Sequence, residues 1–360
     1  MTNVLSFARR SARPDGGLGA LLAAFAHHRR RPGDAFWLKE NAELLGILAA
    51  TGRRLPDLQL AVYQPFHEGV EEQIAFHPQY YRMLLGLTLS LETLGFPGDK
   101  GRRLAEWIAA QGWIDSEVND LQRAETRHLL ALAGVEVDQP GLEARLLQFM
   151  SRPATFALPN PRAAYDLLHA IFYLTGYGRR PMELPAKARE SLLHLGCLAH
   201  LEQNGDLLAE VLIALAYCNE PLPPLWLAMV LAERAEFRIL PEECRDSADA
   251  YHNFLVNQWL LITIGDTAFC ETFPAGPMRF SLNRSPISPM REWAQALQNM
   301  GEGRRADWAR MRAACQGRVS ETAMRVADAG AAGSPGFETF FAVFAREAGP
   351  APAARNRVAG

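Results

Sequence analysis

The chain has 360 residues, 49% hydrophobic and 21% charged, with a formal net charge of −3. This length suits two average domains or one large layered one. The balanced charge gives no electrostatic reason to expect nucleic acid or an anionic membrane as a partner. Five cysteines with no CxxC pair read as reduced, buried small side chains and point to a cytoplasmic setting.

No run reaches the roughly 18 uninterrupted apolar residues of a membrane span. Residues 1–16 carry Arg9 and Arg10 without a following apolar run, so a flexible segment is expected there rather than a signal peptide. From that point the apolar spacing predicts helices near 17–30, 34–51, 56–75, 79–95, 99–111, 115–133, 140–151, 161–176, 185–203, 205–219, 223–237, 248–265, 289–300, 304–316, 319–330 and 335–347. Asn160–Pro161, Ser288–Pro289 and Ser334–Pro335 each place a capping side chain before a proline at the first helical position. The cationic groups His27–Arg31 and Arg102–Arg103 read as caps of helix C-termini. Sustained two-residue alternation is missing, so strands are not expected. The connector Ser151–Pro161 divides a single helical domain, 17–347, into candidate halves 17–151 and 161–347. Asp266–Pro289, with Arg279 and Arg284, is a long loop of the kind that carries function or moves. Residues 348–360 are expected to be a disordered tail.

Helices of two kinds alternate. One kind carries charge on one face. The other, at Gln79–Gly95, Pro161–Gly176, Gly205–Asn219 and Ala248–Gly265, is apolar all round and must be enclosed by other helices. Inner and outer layers follow. With hairpins of about 35–45 residues, the class is all-α: an α/α toroid or a tightly curved helical-hairpin solenoid. Periodicity does not say whether the ends meet.

Isolated polar residues inside the apolar helices are the candidate site. Asp166 and His169 lie three apart on one helical face, with Tyr173 one turn further on. An Asp beside a His suits a general base or a metal ligand, and competes with a buried His bonded to backbone. Asp206 lies in a first helical turn, where capping explains it. Glu210, between Ala209 and Val211, needs an Arg, a His, a metal, water or a raised pKa to remain buried. Tyr251, His252, Asn253 and Asn257 sit in another apolar helix, where Asp249, Asn253 and Asn257 form a stripe facing either a wet cavity or neighbouring backbone. Cys197 and His200 share a face near His194. They are weak zinc candidates because no second spaced ligand pair accompanies them. His128 and the group Tyr63, Phe66, His67, Phe76, His77, Tyr80 and Tyr81 read as packing.

There is no phosphate-binding glycine loop, no GxSxG elbow and no aspartate-rich terpene synthase motif, and the Cys-Gly and His-Gly pairs of lanthionine cyclases are missing. The segments His169-Ala-Ile-Phe-Tyr-Leu-Thr175, Gly205-Asp206 to Glu210 and Tyr251-His252-Asn-Phe-Leu255-Val256 resemble HxxFYxT, GDxxxE and YHxxLV segments of an uncharacterised bacterial all-helical domain-of-unknown-function family. The resemblance spans about residues 160–260. It implies an α/α-toroid shape, no known activity and no known cofactor, and it groups His169, Asp206, Glu210 and His252. The expectation is an enzyme with a central pocket that modifies a small molecule or peptide, with those four residues as its catalytic groups. Asp166, Tyr173, Tyr251, Asn253 and Asn257 would line the pocket. The alternative is a noncatalytic helical scaffold that binds a peptide or protein partner on a concave surface.

Overall fold

The computed structural model describes residues 17–180, 182–243, 249–283 and 288–347. The expected flexible segment 1–16, the tail 348–360, Arg284 and Cys244 lie outside these residues. The all-α expectation holds. The helices are α1 (Leu18–His27), α2 (Ala35–Ala50), α3 (Asp57–Leu60), α4 (Gln64–Phe76), α5 (Tyr81–Leu94), α6 (Lys100–Ala110), α7 (Asp120–Leu132), α8 (Leu142–Met150), α9 (Pro153–Phe156), α10 (Pro161–Leu174), α11 (Ala186–Glu202), α12 (Gly205–Tyr217), α13 (Pro224–Arg234), α14 (Tyr251–Thr263), α15 (Pro289–Asn299), α16 (Trp308–Ala314), α17 (Glu321–Gly333) and α18 (Phe337–Phe344).

Local chemistry accounts for many of the starts. Asn160 accepts from Ala163 N with Pro161 at the first position of α10, and Ser288 does the same for α15 with Pro289. Asp34, Asn119, Asn204, Asp307 and Ser320 cap α2, α7, α12, α16 and α17 in the same way. Three local expectations are corrected. Ser334 ends α17 rather than starting a helix: its hydroxyl accepts from the buried Trp226 indole, and α18 begins after Gly336. Arg102 and Arg103 fall in the first turn of α6 and pair with Asp99, Glu106 and Glu71. The chain also forms two strands, β1 (Arg238–Leu240) and β2 (Arg279–Ser281), which pair antiparallel with Ile239 opposite Phe280. Three residues are too few to show alternation in sequence.

Six helices form an inner layer: the four expected apolar ones, α5, α10, α12 and α14, joined by α2 and by the more highly charged α7. α2 packs on α5, α5 on α7, α7 on α10, α10 on α12 and α12 on α14, and α14 returns to α2. Their starts recur at intervals of roughly forty residues, one helical hairpin each. Outside them, α1 and α4 cover α2 and α5, α6 and α8 cover α5, α7 and α10, and α11 and α13 cover α12 and α14. The last helices, α15, α17 and α18, pack on α11. Because α7 and α10 pack directly, the connector between them does not interrupt the inner layer.

The contact that brings α14 back to the first helices is ionic. Arg29, 4% exposed, donates to Glu40 (2.8 Å), to both oxygens of Asp249 (2.7 and 2.9 Å) and to Met278 O. Its guanidinium lies over the rings of Phe25 and Tyr251, 4.8 Å from each centroid. Arg29 therefore does not simply cap α1 as the cluster His27–Arg31 suggested. It is the centre of a dry charge network whose members have no access to water. Replacing Arg29 with Met takes the cation from buried Asp249, while Glu40 keeps Arg30 at 2.6 Å. Urea unfolding should report a loss of about 3–5 kcal/mol; a loss below about 1 kcal/mol would mean that the network relaxes into water like a surface pair.

Candidate functional site

Each inner helix sends side chains into one cavity of about 510 Å³, within the range of small-molecule sites. α2 contributes Glu43, α5 Arg82, α7 Glu125 and His128, and α10 Tyr165, His169, Phe172 and Tyr173. Tyr177 and Arg179 follow α10, α12 adds Glu210, and α14 adds His252, Val256 and Trp259. Matched contacts show neighbouring helices running in the same direction. Arg82 bonds Glu125 at 2.9 Å while Leu129 lies against Gly86 one turn on. His252 meets Asp206 while Trp259 donates to Tyr217 Oη (2.7 Å) two turns on. Ionisable groups therefore gather toward the N-terminal halves of the inner helices, and aromatic rings toward the C-terminal halves.

At the ionisable end, His252 Nδ1 donates to Asp206, 3.0 Å from each carboxylate oxygen. Its Nε2 lies 3.8 Å from Glu210 Oε1. Asp206 is one turn before Glu210 on α12, so helical geometry alone puts both carboxylates beside one imidazole. Burial pushes the Glu210 carboxyl up to about 8; the His252 charge opposes this, and Asp206 and Glu43 add to it. Burial alone would lower the His252 pKa. The hydrogen bond and charge of Asp206 outweigh it, with help from Glu43 and Glu210, and raise it to about 9. Near neutral pH the cluster thus holds a protonated His252 and a protonated Glu210. One ligand atom from each lies within 4.8 Å of the others, so this group could hold a metal ion.

His169 lines the same cavity as His252 but has a different state. Its Nδ1 donates to Tyr165 O (3.1 Å), its ring stacks on Tyr165 with centroids 3.7 Å apart, and burial lowers its pKa to about 4. It is a neutral imidazole with Nε2 left as an acceptor. Among the residues expected to line the pocket, Tyr173 does so. The other four are corrected. Asp166 turns from His169 to Arg162 (2.9 Å). Tyr251 points at α2 and donates to Glu43 Oε2 (2.7 Å). Asn253 donates to Glu233, and Asn257 bonds back to Asn253. The polar stripe of α14 thus faces neighbouring elements, while His252, Val256 and Trp259 face the cavity. Cys197 and His200 are not assembled as ligands: the thiol meets Pro335 O and the imidazole Val326 O, both on the C-terminal helices.

Sequence reasoning passed over Glu43, Arg82, Glu125, Tyr165, Tyr177, Arg179 and Trp259, and it assigned His128 to packing. The forty-odd-residue recurrence of the inner helices was the available signal. It sets Arg82 and Glu125 at equivalent heights, as their ion pair shows.

The two shifts carry a stability consequence of definite sign. Between the ordinary carboxyl value of 4.5 and about 9, the folded chain holds protons on Glu210 and His252 that the unfolded chain has released. The His252 contribution is fully present below about 6.5 and is lost as the pH rises through about 9. Glu210 grows less favourable to folding as the pH rises from about 4.5 to about 8. Burial lowers the pKa of His128, His169, His194 and His200, which act in the opposite sense near pH 6. The thermal midpoint should therefore fall between about pH 7.5 and pH 9, and it should fall less in Glu210→Gln, which stays neutral. Equal slopes in the two proteins would rule out a protonated Glu210.

Among known proteins, the chain matches a family model described as Domain of unknown function (DUF6902) over residues 1–347. No curated protein and no solved structure matches it. A match over nearly the whole length, taking in all six inner helices and every side chain of the cavity, makes the chain a member of the DUF6902 family.

Proposed function

We propose that this chain is an enzyme that transforms a small organic molecule by proton transfer inside the cavity. The closed packing order of α2, α5, α7, α10, α12 and α14 supports an α/α toroid around that cavity. The observation that carries the reading is the meeting of Asp206, Glu210 and His252 at one end of a half-open cavity that His169 also lines. Burying several ionisable groups against apolar walls is unfavourable unless they are matched to a task or to each other. Asp206 fixes the His252 ring and its Nδ1 proton, which aims Nε2 toward Glu210. Glu210, protonated near neutral pH, is the proton donor. The His252 cation stabilises negative charge that develops on the substrate, and the free Nε2 of neutral His169 is the proton acceptor. A scaffold binding a partner on a concave face has no need of this convergence.

The test is conversion. The wild-type protein is incubated with mixtures of small metabolites and the products are followed by mass spectrometry. Glu210→Gln and His252→Asn should each slow any conversion by about 10²–10⁴-fold while both remain folded at the assay temperature by circular dichroism. Conversion at unchanged rates in both variants would remove these groups from the chemistry.

The three-ligand geometry favours a second reading, in which Asp206, Glu210 and His252 bind a divalent cation in place of their protons. Their mixed oxygen and nitrogen set suits Mn²⁺ or Zn²⁺. After chelator treatment and dialysis against either ion, elemental analysis should then find about one equivalent in the wild type and none in His252→Ala. A wild type that takes up neither ion ends this reading and leaves proton transfer.

A further inference from the structure

The aromatic end of the cavity holds polar groups that Glu210 and His252 do not engage. His128 is 7% exposed, and its ring lies 5.8 Å from that of Tyr173 and 5.2 Å from that of Tyr177. Among the described residues, no protein group hydrogen-bonds to its imidazole or to the hydroxyls of Tyr173 and Tyr177. Arg179 lines the same cavity. Its guanidinium makes one long bond, to Ala49 O at 3.4 Å, and has no carboxylate partner among the described residues. A buried polar group without a partner costs about 1–3 kcal/mol. His128 and Tyr173 are buried, Tyr177 is half-buried and Arg179 is exposed; together they turn donors without a protein partner toward one cavity, where a polar ligand from outside the chain can take them.

The turn that presents two of them is itself strained. Gly176, Tyr177 and Gly178 are all left-handed, with φ of 57°, 57° and 80°. Gly178 has no room for a side chain, since a Cβ there would lie 2.6 Å from the Tyr217 ring. A left-handed tyrosine between two such glycines is a local strain of the sort found at ligand sites.

Donor chemistry identifies the partner. A guanidinium and two phenol groups donate, and a neutral imidazole supplies one N–H. The planar fork of an arginine matches a carboxylate or phosphate. The surrounding charge agrees. Arg180 lies close by, bonded to Tyr173 O, and the nearest carboxylate, Glu125, is matched by Arg82 at 2.9 Å. Phe172 and Trp259 flank Tyr177, each with ring centroids 5.8 Å from it, and offer apolar ring surface beside these donors.

We propose that His128, Tyr173, Tyr177 and Arg179 form an oxyanion-binding subsite, which takes the carboxylate or phosphate of a ligand whose apolar or aromatic body lies along Phe172 and Trp259. This rests on the reading of the cavity as an active site and names its substrate class: a molecule anchored by an oxyanion at this end, with its reacting group turned toward Glu210 and His252.

Calorimetric titration at fixed ionic strength with benzoate, phenyl phosphate and uncharged benzyl alcohol tests it. At least one anion should saturate a single site and bind about tenfold or more tightly than benzyl alcohol. The two anions distinguish a carboxylate from a phosphate ligand. Arg179→Gln and Tyr177→Phe should each weaken the anion by about tenfold or more, and Arg179→Lys should recover part of the loss. Wild-type thermal midpoints in all variants establish that they fold. No saturation by either anion, equal binding of benzyl alcohol, or unchanged affinity in Arg179→Gln and Tyr177→Phe would overturn the subsite. Binding is read without turnover, so failure here leaves conversion at Glu210 and His252 standing, and failure of conversion leaves the binding result standing.

Discussion

Arg29 and Asp249 are 220 residues apart in the chain and 2.7 Å apart in the fold. Around this pair, buried Glu40 of α2, the strand β2 and the start of α14 converge, and the partly exposed Arg30 meets Glu40 from outside. A buried charge without its partner is strongly unfavourable, so the network admits one arrangement of α14 against α1 and α2 and rejects shifted ones. With α14 held there, it packs on α2 and the two contribute walls to one cavity. Tyr251 shows the same coupling on a smaller scale: it sits under Arg29 and donates to Glu43, a wall residue of the cavity. The site thus depends on a charge network that lies outside it.

Within the cavity, two ends of different character follow from inner helices that run in one direction. The ionisable end brings a carboxylate from outside the cavity wall, Asp206, against an imidazole within it, and leaves a second carboxylate, Glu210, close but not bonded. Burial pushes Glu210 toward its neutral form, and the bond to Asp206 outweighs burial at His252 and favours its charged form. Pairs of titratable groups driven apart in this way are the usual signature of acid and base assignments. The aromatic end has the opposite problem, with donors that have walls and no partners. An elongated ligand with an oxyanion at one end and a reactive polar group at the other satisfies both.

Much of the site was legible because it lies within single helices or depends on spacing. Asp206 and Glu210 share a face by helical period, and an all-apolar surrounding leaves Glu210 in need of a neighbour. His252 lies on a helix with no solvent face and is that neighbour. The failures share a cause. Asp166 and His169 satisfy the same spacing rule, yet a local cation, Arg162, takes the aspartate and a backbone carbonyl takes the imidazole. Asn253 and Asn257 also lie on α14, but Asn253 is turned from the cavity to Glu233 of α13 and Asn257 bonds back to Asn253, and a stripe in sequence does not reveal which neighbour it faces. His128 reads as one more packed ring until its lack of a hydrogen-bond partner is visible.

Helical class, most helix positions, the capped starts at Asn160 and Ser288, and the inner and outer layers are written in the sequence, because each rests on interactions among residues a few positions apart. Closure of the inner layer, the direction each polar side chain faces and the meeting of α7, α10 and α14 around one cavity were decided only by tertiary structure. These depend on contacts between residues up to some two hundred positions apart, whose energies are settled by desolvation and pairing in the folded interior rather than by local pattern.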